Sequence, residues 1–513
     1  MITRRNALSI LAAAPAVLRK RALAAPSGVE ITPGPFEGSR ESLAKYQVPE
    51  WFRDAKFGIW AHWGPQSAPE AGDWYARNMY IQDHAQYKYH VEHYGHPSKF
   101  GFKDVIPTWK GDKFDADHLM SLYKKAGAKY FVSMGVHHDN FDLWNSKYTN
   151  WNSVKMGPKK DIVGLFHKAA QKHGLKFGVS EHLWISYKWF ATSHGSDKSG
   201  PMAGKPYDGI DPKFADLYHD AQCEPFSNGK FEWNDEGIPD AWKLHWFKRI
   251  KDLLDNYQPD LLYTDGALPF EEYGFNLVAH HYNQSAKRHG GTTQAIYTSK
   301  RREDCETGTC VLDLERGIVD KIWPNQWQTD TCVGNWHYKR DFKYKTPKVV
   351  IDMLCDIVSR NGNLLLNFPL PNSGAPDAEE LKILDEITKW MAVNSEGIYG
   401  TRPWKIFGDG PATSDQGKGR FNENGRKQLT AGDVRFTTKS KTIYAFVMGT
   451  PEGTTAIKPL GTASPQGAGR IVNVQLLGHK GKVQWKQEGE ALKVEMPAEK
   501  PSAHAVTLKV TVG

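Results

Sequence analysis

A chain of 513 residues exceeds what one hydrophobic core ordinarily supports, so the length predicts one large domain and a second, smaller one. The formal net charge of +8 is concentrated at the N-terminus: the first 25 residues hold five basic and no acidic side chains, and subtracting these five leaves +3. So weak a charge, with no basic run among stacked aromatic residues, argues against a nucleic-acid-binding protein. No later segment has the ~20 apolar residues that a membrane span needs.

Residues 1–25 have the pattern of a bacterial export signal of the twin-arginine type. Arg4 and Arg5 precede a short apolar run over 7–18, and the small-residue motif at 22–24 resembles a cleavage site. The alternative is a cytosolic protein that begins with a helix. The sequence thus predicts a periplasmic or secreted protein.

An apolar helical pattern followed by a short apolar strand occurs three times before residue 266. The helical runs end near Gly127, Gly174 and Pro259, as expected of residues that terminate helices. The strands, with the polar residues that follow them, are 130–134 with His137 and His138, 176–179 with Glu181 and His182, and 261–264 with Asp265. Strands alternating with helices predict a parallel α/β sheet, and polar residues at the carboxyl ends of such strands predict an active-site rim. We therefore expect an enzyme.

The sequence changes character after Phe407. A helix that begins after Asp377 closes the first domain, and 408–433 is rich in Gly, Asn, Ser and Asp. Short alternating strands separated by turn residues then follow to the C-terminus, which predicts a small all-β sandwich. The predicted domains are 36–404 and 405–513.

The five cysteines form no zinc-binding pattern. They are Cys223, Cys305, Cys310, Cys332 and Cys355. An odd number leaves at least one unpaired. Cys305 and Cys310 are candidates for a disulfide in an oxidising compartment, with buried free thiols as the favoured alternative.

Seven segments resemble, in order, the motifs of glycoside hydrolase family 29, the α-L-fucosidases. They are WFRDAKFGIWAHWG from Trp51, GDWYARNMY from Gly72, HHDNFDLWNSKYTNWN from His137, GPKKDIVGLFHKAAQKHGLKFGV from Gly157, YQPDLLYTDG from Tyr257, NGNLLLNFPL from Asn361 and EGIYGTRPW from Glu396. Any one of them alone would be a weak signal, whereas seven in the family's order are specific.

The resemblance implies an α/β fold, with a (β/α)8-like barrel followed by a β-sandwich. It also implies an exo-glycosidase that removes terminal α-L-fucosyl residues from an oligosaccharide or glycoconjugate. The family mechanism is retaining, through a covalent glycosyl-aspartate, without a metal or other cofactor. Association into a homo-oligomer stays open.

The resemblance assigns the nucleophile to Asp265, which ends the strand in YQPDLLYTDG. A retaining glycosidase needs an ionised carboxylate that attacks the anomeric carbon while a second, protonated group serves the leaving oxygen. A structural aspartate that caps the turn before Gly266 is the alternative. Asp260 lies at the start of the same strand, so we expect it at the opposite end of the barrel.

The acid/base is harder to assign because the sequence departs from a common family pattern. Many members carry Trp-Glu where this chain has Trp327 and Gln328, and a glutamine cannot donate and recover a proton. Glu315 is the predicted replacement, with Glu306 as an alternative. The alternative is that Glu315 has no catalytic role and forms an ion pair with Arg316 at the surface.

Several polar and aromatic residues match family positions that bind the sugar. They are His62, Trp74, His137 and His138. Imidazoles suit sugar hydroxyls because each offers a donor and an acceptor, and an indole face packs on the apolar side of the ring. Arg301 is predicted to match a family arginine. Because the alignment could shift by one residue, Lys300 is the alternative match.

Where many fucosidases have Tyr-Tyr-Ser, this chain has Ser180, Glu181 and His182. Glu181 or His182 is therefore predicted to enter the pocket, and a carboxylate there suits an extra hydroxyl at C6. The alternative substrates are other galacto-configured sugars, such as L-galactose or a galactoside. A non-catalytic carbohydrate-binding protein is a second alternative, which a carboxylate within about 5–6 Å of Asp265 would argue against.

Overall fold

The computed structural model of the protein describes residues 26–220 and 233–513. The predicted export signal at 1–25 and Cys223 lie outside these residues. Eight parallel strands close into a barrel in chain order. They are β1 Phe57–Ala61, β2 Tyr130–Val136, β3 Lys176–Glu181, β4 Leu261–Thr264, β5 Ile296–Ser299, β6 Val311–Asp313, β7 Trp327–Cys332 and β8 Gly362–Asn367. The predicted barrel is confirmed.

Helices surround this barrel and lie between its strands. They are α1 Arg40–Leu43, α2 Glu50–Ala55, α3 Tyr75–Asn78, α4 Ala85–His93, α5 Phe102–Val105, α6 Ala116–Lys125, α7 Ile162–Lys172, α8 Ser186–Trp189, α9 Ala215–Tyr218, α10 Asp240–Tyr257, α11 Glu272–Arg288, α12 Arg302–Glu306, α13 Pro347–Ser359 and α14 Ala378–Asn394. The connection between β6 and β7 contains no helix, which leaves a loop at the rim there.

Local sequence explains these elements. Asp161 accepts a hydrogen bond from the Gly164 amide at 2.9 Å and caps α7, and Asp377 forms a capping box at the start of α14. Almost every residue of the barrel strands is buried, as parallel strands covered on both faces require. Asp260 accepts from Lys176 Nζ at 2.8 Å at the amino ends of the strands, so it lies away from the rim.

The second domain packs a five-stranded antiparallel sheet against a three-stranded one, which confirms the predicted all-β domain. Its strands are β9 Arg402–Asp409, β10 Val434–Lys439, β11 Thr442–Val447, β12 Thr454–Ile457, β13 Ile471–Leu476, β14 Trp485–Gln487, β15 Leu492–Glu495 and β16 Val506–Val512. The predicted boundary after residue 404 falls inside β9. A buried ion cluster joins the domains. Asp356 of α13 contacts Arg360, which follows the same helix, and Arg435 of β10 in the second domain.

Cys305 and Cys310 are buried free thiols, with their Sγ atoms 2.7 Å apart. In the part of the chain that the structure describes, none of the helices combines the length and hydrophobicity that crossing a bilayer demands.

Candidate active site

A cavity of about 740 Å³ opens at the carboxyl ends of the barrel strands. Successive strand ends supply its walls, as the closed barrel requires. His62 follows β1, His137 follows β2, His182 follows β3, Asp265 follows β4, Lys300 follows β5, Glu315 follows β6 and Asp330 lies in β7. The parallel order of the strands thus brings together residues separated by more than 260 positions.

The carboxylate of Asp265 is held by one ammonium and two imidazoles. Lys300 Nζ lies 2.8 Å from Oδ1, while His138 Nε2 and His182 Nδ1 lie 3.3 and 3.2 Å from Oδ2. Burial would raise the pKa of Asp265. The positive charge of Lys300 and the contacts with His182 and His138 nevertheless hold this pKa well below its usual value. Asp265 is therefore ionised at neutral pH and available as a nucleophile.

The backbone after Asp265 has little freedom. Trp184 Nε1 donates to the carbonyl oxygen of Asp265 at 2.7 Å. Gly266 has a φ of +140°, and a Cβ there would lie 2.8–3.0 Å from the Trp184 indole. Glycine is thus required on both conformational and steric grounds, and the close packing fixes the direction of the Asp265 side chain.

Glu315 lies beside Asp265 and shares a cation with it. Lys300 Nζ is 2.6 Å from Glu315 Oε2 and 2.8 Å from Asp265 Oδ1. The two oxygens are thus no farther apart than the sum of these distances, an upper bound that is shorter than the separation in inverting glycosidases and compatible with the ~5–5.5 Å of retaining ones. Burial, together with the charges of Asp330 and Asp265, raises the pKa of Glu315, although Lys300 opposes the shift. A proton on Glu315 is accordingly favoured relative to an exposed glutamate.

Lys300, rather than Arg301, enters the centre of the site. The Lys300 side chain is only 3% exposed and lies 3.4 Å from Asp330 in addition to the two carboxylates above. Arg301 lines the outer cavity, where it donates to the buried Asp304 at 2.6 and 3.0 Å. Lys300 therefore takes the inner position in the cavity, and Arg301 lies farther out.

Three imidazoles, those of His62, His137 and His182, form one wall of the cavity. Burial and neighbouring histidines lower the pKa of His62 and His137, and burial lowers that of His182 to about 4. These rings are therefore neutral at pH 7, when each can donate one hydrogen bond and accept another. His138 is oriented by its Nδ1, which donates to the carbonyl oxygen of His182 at 2.7 Å and turns Nε2 towards Asp265.

Glu181 does not line the cavity. Its carboxylate accepts hydrogen bonds from Trp246 Nε1 and from the Leu183 amide, both at 3.0 Å, behind strand β3. Neighbouring side chains on a strand point to opposite faces, so His182 faces the cavity and Glu181 faces helix α10. The prediction that Glu181 contacts the sugar is not supported by this geometry, and the carboxylate argument for a C6 hydroxyl loses its basis.

Two other residues discussed from the sequence also lie outside the centre. Glu306 is half-exposed, forms an ion pair with Arg302 and does not line the cavity. Gln328 is buried in the barrel, where it accepts from the Tyr130 hydroxyl at 2.8 Å and donates to Asp313 at 2.9 Å. Gln328 is thus part of a structural network, and Glu315 is better placed than Glu306 for acid/base chemistry.

Trp74 lines the cavity as predicted, and the structure adds residues that sequence reasoning missed. They are Trp60, Asp73, Tyr263, Asp330 and Trp336. The aromatic residues at the base of the cavity form its floor. The Tyr263 hydroxyl donates to Asp330 Oδ2 at 2.9 Å, which links this floor to the charged centre. The uninterrupted polar run Gln-Thr-Asp-Thr, between Trp327 and Cys332, was the available signal for Asp330.

Some of these residues also have a spacing that suits a metal ion. The nitrogens of His62, His137 and His182 lie within 4.8 Å of one another, as do ligand atoms of Asp73, His137 and His337. Neutral imidazoles are good metal ligands, but they bind sugar hydroxyls equally well.

A (β/α)8 barrel that places two neighbouring carboxylates of opposite pKa shift at its rim is typical of retaining glycoside hydrolases. The carboxylate close to Asp265 also argues against a purely carbohydrate-binding protein. The fold and the site thus define the protein as a glycoside hydrolase.

Comparison with known proteins narrows this class. Residues 23–396 match the alpha-L-fucosidase family, and residues 426–511 match the alpha-L-fucosidase C-terminal domain. The chain therefore belongs to the α-L-fucosidase family of glycoside hydrolases, as the motifs predicted. It is 27% identical to the plasma alpha-L-fucosidase of Homo sapiens over 90% of this chain and 88% of that enzyme. It is 26% identical to the tissue alpha-L-fucosidase of Mus musculus over 94% and 96%.

Solved structures agree on the fold. The crystal structure of the Thermotoga maritima alpha-fucosidase is 24% identical in sequence, with a TM-score of 0.70 over 93% of this chain and 100% of that one. The same enzyme in complex with fucose gives a TM-score of 0.69.

The position of Glu181 predicts a variant that changes stability rather than substrate affinity. Burial raises its pKa from 4.5 to about 7. The protonated carboxyl therefore stabilises the fold fully below about pH 4.5, and this contribution is lost as the pH rises to about 7. Glu181→Gln cannot titrate, so its free energy of unfolding should fall less across this window than that of the wild type.

Urea unfolding at several pH values between 4.5 and 7, followed by tryptophan fluorescence, measures this difference. Glu306→Gln, on the surface, is the matched control and should keep the wild-type slope. An unchanged slope together with a raised KM in Glu181→Gln would instead mean that Glu181 contacts the substrate.

Proposed function

We propose that the protein is a retaining exo-α-L-fucosidase that hydrolyses terminal α-L-fucosyl residues of oligosaccharides or glycoconjugates. One observation carries the proposal: Asp265 and Glu315 contact the same ammonium, and their pKa values are shifted in opposite directions. Membership of the α-L-fucosidase family supports the identity of the sugar, as do the names of its relatives.

In the first step, ionised Asp265 attacks the anomeric carbon and the bond to the leaving-group oxygen breaks. Protonated Glu315 gives its proton to that oxygen, so the aglycone leaves as a neutral alcohol. The product on the enzyme is a glycosyl ester of Asp265. Lys300 offsets the negative charge that Glu315 gains as Asp265 loses its own.

In the second step, Glu315 acts as a base. It takes a proton from water, the water oxygen attacks the anomeric carbon, and the ester bond to Asp265 breaks. Two inversions give net retention of configuration. The proton on Glu315 and the charge on Asp265 are restored, and Lys300 again bridges two groups of unequal pKa.

Sugar recognition is assigned to the imidazole wall and to the aromatic floor. The Nδ1 atoms of His62, His137 and His182 contact Asn367, Gln66 and Asp265, which leaves their Nε2 atoms for hydroxyl groups. In the neutral rings, Nε2 of His62 and His182 can accept a hydrogen bond and Nε2 of His137 can donate one. Trp74 and Trp336 offer apolar ring faces on the same cavity. The crystallisation of the Thermotoga maritima enzyme with fucose supports the choice of this sugar.

Substitution with azide rescue tests the roles of the two carboxylates. Asp265→Gly should lower kcat/KM for 4-nitrophenyl α-L-fucoside on the order of 10⁴-fold or more, because the nucleophile is lost. Glu315→Gly should slow substrates with poor leaving groups by roughly 10²–10⁴-fold. Azide should restore turnover in both, giving a β-fucosyl azide with Asp265→Gly and an α-fucosyl azide with Glu315→Gly.

The stereochemistry separates the roles because azide replaces the nucleophile in one variant and water in the other. Glu306→Gln is the control and should retain activity. Azide products of one configuration from both variants would contradict the assignment, and turnover of aryl galactosides alone would contradict the choice of sugar.

A second prediction concerns pH. The reaction needs ionised Asp265 and protonated Glu315, so kcat/KM should fall below the pKa of the first and above that of the second. Lys300 lowers both pKa values, so Lys300→Met should move both limbs of the profile to higher pH. Lys176→Met removes a lysine–aspartate pair at the opposite end of the barrel and should leave the profile unmoved. An unmoved profile in Lys300→Met would contradict the electrostatic role.

Export is also part of the proposal. The paired Arg4 and Arg5, the apolar run and the small-residue motif over 1–25 support a periplasmic or secreted enzyme. In a bacterial host, activity should appear outside the cytoplasm with the wild-type leader and remain in the cytoplasm when Arg4 and Arg5 are changed to lysine. Equal export of both forms would contradict the twin-arginine route.

A further inference from the structure

The outer part of the cavity differs from its centre in composition. We call this outer part the mouth, and define it as the exposed residues that line the cavity. They are Trp233, Arg301, Arg302, Glu303, Arg420 and Phe421. The mouth therefore combines three guanidinium groups and one carboxylate with two aromatic rings.

The mouth lies on the leaving-group side of the reaction. Arg420 Nη2 is 3.4 Å from Oε2 of Glu315, and the Phe421 amide donates to the Glu315 carbonyl oxygen at 2.9 Å. The acid/base must contact the glycosidic oxygen, so the groups around it on the solvent side surround whatever that oxygen is attached to. Arg420 and Phe421 thus meet the leaving group rather than the fucosyl ring.

The guanidinium groups remain available to a ligand. The side chains of Arg301, Arg302 and Arg420 are 44%, 59% and 42% exposed. Arg301 directs Nε and Nη2 to Asp304, which is fully buried, and Arg302 directs Nε to Glu306, which lies outside the cavity. The carboxylates that orient Arg301 and Arg302 therefore lie away from the cavity. The Arg302 guanidinium also packs over the ring of Trp323, 4.5 Å from its centroid, and keeps its other face exposed.

Phe421 is held in a conformation that bulky residues rarely adopt. Its φ is +53° and its side chain is 59% exposed. Gly419 exchanges two backbone hydrogen bonds with Ile318, at 2.8 and 3.1 Å, and Asn422 donates to the Arg316 carbonyl at 3.1 Å, so both flanks are fixed to the barrel. A strained backbone that displays an apolar ring to solvent indicates a binding role, and a phenyl face suits the apolar side of a sugar.

We infer that the natural leaving group is a sugar that carries an anionic substituent, a carboxylate or a sulfate ester. Its ring packs on Phe421, and its anionic group is bound by Arg302, Arg301 and Arg420. Guanidinium is the side chain best suited to bidentate binding of such oxyanions. This inference rests on the proposed function, since it assigns the leaving-group side from the role of Glu315.

Three aryl α-L-fucosides test the inference. Their phenols carry a meta-sulfonate, a meta-carboxylate or a neutral meta-acetyl group. Each kcat/KM is compared with the value that a series of neutral aryl α-L-fucosides gives for a phenol of the same pKa, so that leaving-group acidity is removed from the comparison. At low ionic strength the better of the two anionic substrates should have a kcat/KM roughly fivefold to tenfold above the neutral one. The advantage should shrink in 1 M salt, where the screening length is about 3 Å. Preference for the sulfonate indicates a sulfated sugar, and preference for the carboxylate indicates a uronic acid.

Arg302→Gln is the diagnostic variant, because Arg420 touches Glu315 and its loss would also change catalysis. The ratio of anionic to neutral kcat/KM should fall by roughly threefold in Arg302→Gln and be partly kept in Arg302→Lys. Arg53→Gln is the matched control, since Arg53 is 42% exposed and precedes β1 at the opposite end of the barrel. It should keep the wild-type ratio.

The outcomes separate this inference from the proposed function. Equal turnover of the three substrates, or a ratio that Arg302→Gln leaves unchanged, overturns the inference and leaves the fucosidase activity intact. Failure to hydrolyse any of the three, the neutral one included, overturns the proposed function and the inference with it.

Discussion

One buried ammonium holds the centre of this protein together. Lys300 contacts Asp265, Glu315 and Asp330, three carboxylates that would repel one another in a desolvated cavity. Burial disfavours its charge, but the three carboxylates raise the pKa of Lys300 well above its usual value. The same charge stabilises ionised Asp265 and limits the rise in the pKa of Glu315. The positions of both candidate catalytic groups thus depend on one side chain.

The barrel makes this cluster geometrically unavoidable. Asp265, Lys300, Glu315 and Asp330 belong to four consecutive strands or to the residues just after them, and parallel strands end at the same rim. Just below the cluster, burial and the charge of Asp330 raise the pKa of Asp313, which favours its neutral form. The network continues through Gln328 to Tyr130, so the charged centre is supported by neutral hydrogen bonds deeper in the barrel.

The sequence predicted the parts of the fold whose patterns are local. Strand β4 has the predicted bounds because four apolar or weakly polar residues lie between Pro259 and Gly266. Strand β7 was missed because it reads Trp-Gln-Thr-Asp-Thr-Cys, and its polar side chains are buried only once the barrel has closed. Strand β9 was missed because its pairing partner lies 25 residues farther along the chain.

Within the site, the sequence did not predict which way individual side chains point. Motifs identified Asp265 and the histidines, whereas a shift of one residue decides between Lys300 and Arg301 and between Glu181 and His182. That choice depends on how each chain leaves its strand, which hydrophobic pattern does not record. Arg420 could not be found from the barrel motifs, because it comes from the segment between β9 and β10 and lies 105 residues from Glu315.

Because Arg420 and Phe421 lie outside the barrel, the residues around the cavity differ in how freely they can change during evolution. The groups proposed to break the bond lie just after barrel strands, where a change would disturb the packed core and the shared cation. Two of the groups proposed to meet the outgoing sugar, Arg420 and Phe421, belong instead to the connection 410–433, which is bound to the barrel through Ile318 and Arg316. Divergence in that connection can therefore alter which glycans are accepted in one lineage and another, while the bond-breaking apparatus is passed on unchanged.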